Sequence, residues 1–530
     1  MKNTYITLFV ATVITLLSTS CSDDLENINS NPNNPEVVLT NTIFNSATKE
    51  LTDISRGAFS SGRAALPWMQ YWGQNSYADE DRYLYRESTA EDLWANYYRV
   101  GTDLKKIIEL NTNAETREQM SSVGNNDNQI AASRIMLSYI FHQLTDTFGD
   151  VPYYSFGNND PNFQALNVDN VLSPVFVTQQ EIYADILSEL RASVNMLTTT
   201  ESVFTSGDNI FGGNAEKWRK FANSLILRVA NRLRSVDAAA ANAAIDEAIA
   251  SGVFTSNADN AIQAYENTDA TGSPLYRAYF VNNRTDFGVA APFINLLKNR
   301  TGNFGPDPRL FQFAAPITVS IEDIRDQNYT VSTNFDDYEG VPYAFESVNF
   351  IKFTNYSFPS DQVLRADYGE VLMEYAEVSF IISERNGWSQ AEYEQGVRAS
   401  MERWGVADTD ITTYIGTLPA ASEENVLTQK YIALYMQPYE AWAEYRRTGF
   451  PQTLLLPGQM ANLTTAQAAD LPTGSASTYT FVPRVSITDL PTRLRYPVTL
   501  QSLNGTNRAT AVSRLSDGDV ITSKLFWDQN

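Results

Sequence analysis

Apolar side chains that recur every third or fourth residue confine most of this chain to a helical scaffold. Ile182, Ile186, Leu190, Val194 and Leu197 follow one another at that spacing, as do Trp218, Phe221, Leu225, Val229 and Leu233. A side chain returns to the same face of an α-helix about every 3.6 residues, so each series is a stripe to be buried against another element. Ser88 with Glu91, Thr178 with Glu181 and Ser389 with Glu392 have capping-box spacing. There a hydroxyl accepts from the amide three residues on, and the carboxylate accepts from the first amide. Residues 214–235 then 237–251, and 367–386 then 389–404, read as helical hairpins; the first stops at Gly252 and the second turns through Asn386-Gly387-Trp388. Each has the length of one tetratricopeptide unit, about 34 residues, without that repeat's signature. A further helix from Asn425 is expected to kink near Pro438, which has no amide hydrogen, and to end at Gly449.

Between the helical blocks lie long segments rich in Asn, Gly, Pro and aromatics, at 60–87, 149–177, 255–366 and 450–530. Loops of that length are uncommon unless functional, so ligand contacts are expected there. No linker or charge run separates the blocks. The expectation is one interwoven, mostly α domain over residues 36–530, with a helical-hairpin scaffold and irregular loops forming the ligand face.

Composition removes several chemistries. The chain has one Cys and one His in 530 residues, so an intramolecular disulfide and a Cys-held zinc site are excluded. A Ser/His/Asp triad would depend on His142 alone, which continues the apolar positions Ile135, Leu137 and Ile140 and reads as a packed or hydrogen-bonded helix residue. A net charge of −24 repels phosphate backbones, so nucleic acid is not an expected partner. No EF-hand, Walker A or dinucleotide fingerprint occurs, and no cofactor or catalytic residue is expected. A structural calcium ion attracted by Asp79-Glu80-Asp81 is the one ion left open.

The N-terminus sets the compartment. Lys2 precedes an apolar run at 6–17, too short to span a bilayer but of secretory-signal length, and small residues then lead to Cys21. Ser18-Thr19-Ser20-Cys21 resembles a bacterial lipoprotein cleavage box, with Leu17 one position further from the Cys than usual. That implies a signal peptide over 1–20, lipidation of Cys21 and a flexible tether over 21–35. Ser22-Asp23-Asp24-Leu25-Glu26 is similar to the surface-export signal of Bacteroidetes lipoproteins. The expected location is the outer membrane, lipid-anchored and facing the exterior.

Residues 428–451, TQKYIALYMQPYEAWAEYRRTGFP, resemble a signature of the SusD/RagB family, in particular its second SusD-like branch. Residues 144–153, 212–232, 372–383 and 491–497 and the Lys524-Leu525-Phe526-Trp527 ending resemble it in the same order. The resemblance implies a tetratricopeptide-like superhelix whose loops bind a nutrient, and a SusC-like, TonB-dependent transporter as partner. Within the signature, Trp442, Arg446 and Arg447 read as structural, as do Arg493 and Arg495.

Residues 66–86 combine rings with amide, acidic and basic groups, the mixture sugar recognition needs: a ring covers the C–H face while polar groups take hydroxyls. Trp68, Trp72, Tyr77, Arg82 and Tyr83 are the candidates there. Residues 276–288 supply Tyr276, Tyr279, Asn283, Arg284 and Asp286, of which the last three either bind hydroxyls or brace one another across a turn. Tyr338 is a further candidate. The expected function is non-catalytic glycan capture. A peptide-binding member of the same family is the alternative. A surface glycoside hydrolase or lyase ranks below both, since two facing carboxylates about 5–9.5 Å apart leave no local mark.

Overall fold

A computed structural model describes residues 38–528. The expected leader, Cys21 and the tether lie outside the described residues. The main helices are α1 (Thr40–Ser55), α2 (Glu87–Thr112), α3 (Asn126–Phe148), α4 (Gln179–Met196), α5 (Ala215–Arg232), α6 (Ala238–Ser251), α7 (Tyr375–Arg385), α8 (Gln390–Arg403), α9 (Glu423–Ala433) and α10 (Pro438–Thr448). From α1 to α6 they pack in series, each of the first five on the next; α7 then packs on α5, α8 and α9. The expected hairpins are α5–α6 and α7–α8, and α1–α2 and α3–α4 pair in the same way. The protein is therefore mostly α, a helical-hairpin scaffold with long irregular segments.

Local chemistry explains where elements begin and end. Trp218, Phe221, Leu225 and Val229 are fully enclosed, as are Ile182, Ile186 and Leu190. Thr178 and Glu181 complete a reciprocal capping box at α4. Ser88 does not cap, because α2 already starts at Glu87, and Ser389 stands at the α8 cap with its hydroxyl bonded to the Glu392 carboxylate instead of an amide. The helix expected to kink at Pro438 breaks: Met436 takes a left-handed φ of 68°, and Pro438 opens α10 at the position where a missing amide hydrogen costs nothing. Gly449, at φ 76°, ends it as expected. The helix expected from 367 begins only at Tyr375, since 370–373 form a strand.

Among the described residues, four two-stranded antiparallel ladders pin the irregular segments: β1 (Trp72–Gln74) with β5 (Phe287–Val289), β2 (Val151–Pro152) with β3 (Phe176–Val177), β4 (Ala261–Gln263) with β6 (Glu370–Met373), and β7 (Met460–Asn462) with β8 (Thr478–Thr480). One core cluster runs from Phe44 to Trp527. Buried ion pairs cross it. From α5, Arg228 reaches Glu377 of α7, while Arg232 contacts Asp146 of α3 and Glu440 and Glu444 of α10. Lys430 of α9 joins Glu444 at 2.7 Å. The Arg446 guanidinium lies over two buried indoles, 3.7 Å from Trp442 and 4.9 Å from Trp527, so the chain's last aromatic is locked into the core.

Candidate functional site

The two aromatic-rich segments singled out in the sequence lie some two hundred positions apart, and the β1–β5 ladder brings them together. Trp72 faces Val289, Gly73 faces Gly288 and Gln74 faces Phe287. Beyond the ladder, the Asn75 backbone amide donates to the Asp286 carbonyl at 3.0 Å and its side-chain amide to the Thr285 carbonyl at 2.8 Å. The two glycines permit this closeness: a Cβ on Gly73 would stand 2.9 Å from Val341, and one on Gly288 would stand 2.9 Å from the Tyr356 ring.

Burial then divides the candidates. Trp68, Trp72, Tyr83, Tyr279 and Tyr338 are at most 3% exposed, so they cannot stack on a ligand in this structure. Trp72 donates to the Tyr435 hydroxyl at 2.9 Å, Tyr279 to the Phe287 carbonyl at 2.9 Å and Tyr338 to the Ser332 carbonyl at 2.7 Å. Trp68 sits edge-on to Trp442, and Tyr83 edge-on to Phe481. Arg82 is also buried, donating to the Val482 carbonyl and paired with Glu346. These six are packed in the interior, where enclosing a large side chain is most stabilising.

Tyr77, Tyr276, Asn283, Arg284 and Asp286 remain at the surface. Arg284 pairs with Asp286 at 2.9 Å, and that carboxylate raises the guanidinium pKa further. Burial, then the Asp286 and Glu80 charges, push the Tyr77 hydroxyl above its usual range. Tyr276 donates to Asp269 at 2.6 Å. The backbone carrying this group is unusual. Residues Arg277–Val281 form a π-helical turn, a form that concentrates at functional sites, and Asn283 takes a left-handed φ of 51°.

Clefts flank that turn. One, of about 410 Å³, is lined by Phe280, Asn283, Thr285, Ser320, Glu322, Arg325 and Phe353 among others; the second, of about 340 Å³, by Phe59, Asp53, Asp92, Arg277, Asn282 and Arg284. Phe353 is 53% exposed and Phe59 49%, while Phe280 is half-buried, edge-on to Tyr276. Sequence reasoning missed these three rings. Phe280 lies inside the 276–288 cluster, but nothing in the sequence distinguishes an outward phenylalanine from a core one. A larger cleft of about 770 Å³, near Val38 and Leu110, has no aromatic lining.

The buried cluster of titratable groups around His142 is committed. His142, Asp146 and Glu440 converge closely enough to hold a metal ion, but Arg232 occupies that position, 3.2 Å from Asp146 and 2.5 Å from Glu440. Burial lowers the His142 pKa, and Arg232 and Arg228 add to that against Asp146 and Glu440. The acidic triplet that left calcium open has other partners: Asp79 pairs with Arg484, Glu80 with Arg86, and burial pushes Asp81 up to about 8. Among the described residues no helix is long and apolar enough to cross a membrane.

A family model described as "Starch-binding associating with outer membrane" matches residues 32–471, and one described as "Susd and RagB outer membrane lipoprotein" matches 420–528. No curated protein matches the chain. Among solved structures, a chitin-binding protein matches at 23% identity and TM-score 0.69, over 91% of this chain and all of its own. A Bacteroidetes SusD-like protein matches at 21% and 0.72, over 93% and 100%. A chitin-binding SusD homolog from Flavobacterium johnsoniae matches at 21% and 0.67, over 92% and 99%. At these identities the structures share the fold.

Proposed function

Because this chain belongs to the SusD-like family, we propose that it is a cell-surface lipoprotein that captures a glycan and passes it to a SusC-like, TonB-dependent outer-membrane transporter. The observation that carries this reading is the pair of clefts around the Arg277–Val281 turn, where outward rings stand beside side-chain amides, carboxylates and guanidiniums. Phe353 and Phe280 cover the C–H face of a sugar, and Asn283, Ser320 and Glu322 take its hydroxyls. Tyr77 and the braced Arg284–Asp286 pair hold the turn that separates the clefts. Two of the similar structures are of chitin-binding proteins, which supports a glycan over a peptide.

Capture requires no bond to break and no cofactor, and the role is non-catalytic. Asp53, the most enclosed carboxylate of the second cleft, is paired with Lys49 and Arg277 and accepts from the Tyr265 hydroxyl. The chain from residue 36 acts as one domain, held at the outer surface by lipid on Cys21. Fractionation tests the anchor: Cys21→Ala is expected to release the protein from the membrane fraction, and retention there would refute lipidation at that thiol. Retardation in gels containing single polysaccharides tests capture, with a peptide pool alongside. Retardation by at least one glycan is expected; binding of peptides alone would transfer the site to peptide capture.

A further inference from the structure

The second cleft is lined by two guanidiniums, Arg277 and Arg284, and two carboxylates, Asp53 and Asp92, and a third guanidinium, Arg63, stands beside it on the Phe59 ring. The guanidiniums of Arg63 and Arg284 lie over the Phe59 ring, 4.5 Å and 5.3 Å from its centroid. Arg277 lines the same cleft. Two of these cations are matched, Arg284 by Asp286 at 2.9 Å and Arg277 by Asp53 at 2.7 Å. Arg63 is not matched in the same way. The carboxylate nearest it among the described residues is Glu80, 3.9 Å from its Nε and beyond hydrogen-bond length. Glu80 already accepts from Arg86 at 2.8 Å and from the Gln74 side chain at 2.7 Å. Arg63 is thus a partly exposed planar donor set, oriented by an aromatic ring and lacking a bidentate acceptor.

We propose that Arg63, with Phe59 and Arg284, forms a subsite for the anionic group of an acidic sugar, so that the captured glycan carries uronate carboxylates or sulfate esters. This rests on the glycan reading above and adds the charge class of the ligand. A carboxylate fits the guanidinium edge through two parallel hydrogen bonds, which a neutral hydroxyl cannot reproduce. Phe59 fixes the edge's direction beforehand, so little side-chain freedom is lost on binding.

Calorimetry on the purified protein tests this with four probes: polygalacturonate, a sulfated galactan, a neutral β-glucan and polyglutamate. Tighter binding of an anionic glycan than of the neutral one is expected, weakening with added salt. Whichever anionic glycan binds more tightly separates carboxylate from sulfate. Arg63→Gln should weaken that binding about tenfold or more, the scale of a charge-assisted hydrogen bond, with the melting temperature unchanged. Arg63→Lys keeps the charge without the planar fork and should recover binding only in part. Should Arg63→Gln fail to fold, the lysine variant carries the test. Preference for the neutral glucan, or indifference to both substitutions, overturns the subsite but leaves glycan capture standing. Binding of polyglutamate as tightly as of any glycan overturns the sugar assignment, and silence toward every glycan overturns the subsite together with the function it rests on.

Discussion

Arg228 and Arg232 stand one turn apart on α5, and their carboxylate partners come from three other helices. Removing one partner of such a buried set leaves charges with neither water nor counterion. Arg232→Met is therefore expected to cost about 3–5 kcal/mol in urea unfolding, and a loss below about 1 kcal/mol would contradict a working network. Burial alone would raise the Glu440 pKa, but Arg232 and Arg228 outweigh it and hold the group at about 2. Its contribution is complete above the unfolded value, near 4.3, and disappears as pH falls through about 2. Asp81 has the opposite sign. Burial, reinforced by Glu80, outweighs amide bonds from Gln74 and Ala344 and lifts it to about 8. It stays neutral when folded while the unfolded carboxyl ionises near 3.9, so the stability it lends below that value is lost as pH climbs to about 8. Asp81→Asn should melt increasingly above wild type between pH 5 and pH 8, by at most roughly 1.4 kcal/mol for each pH unit. A gap that does not change with pH would contradict a neutral Asp81.

Elements were legible wherever a single helix carries its own signal. The α4 and α5 stripes, the Thr178 box, the α5–α6 hairpin and the Gly449 stop follow from spacing and local backbone chemistry. The ladders were not legible, because β1 and β5 are three residues each and their pairing is decided by partners far away in sequence. The site shares that fate. The sequence singled out two segments that the β1–β5 ladder joins, but Trp72 and Tyr279 turn inward while Phe59 and Phe353 turn outward, and no periodicity in a loop encodes that choice. Since β1–β5 joins the two segments, Gly288→Ala forces a methyl group against Tyr356. It should cost about 1–3 kcal/mol and weaken glycan binding as well. Lost stability with intact binding would show that the ladder does not position the clefts.

On the scale of the whole molecule, a serial stack of helical hairpins supplies rigidity and the long connections supply a face. The buried arginine–carboxylate network and the Trp442–Arg446–Trp527 stack tie α3, α5, α7, α9, α10 and the C-terminal segment into one core. Residues with no surface of their own account for much of what the sequence signature contains. A rigid scaffold of this kind lets a site bind without first being ordered, so affinity should reside in a few outward groups. The most direct test is calorimetric titration of the purified protein and of Phe353→Ala with the polysaccharide that most retards it in gels. The account predicts saturable binding that Phe353→Ala weakens by about 1–3 kcal/mol at an unchanged melting temperature. Equal affinity in the variant would place capture away from the clefts beside the Arg277–Val281 turn and contradict the central claim.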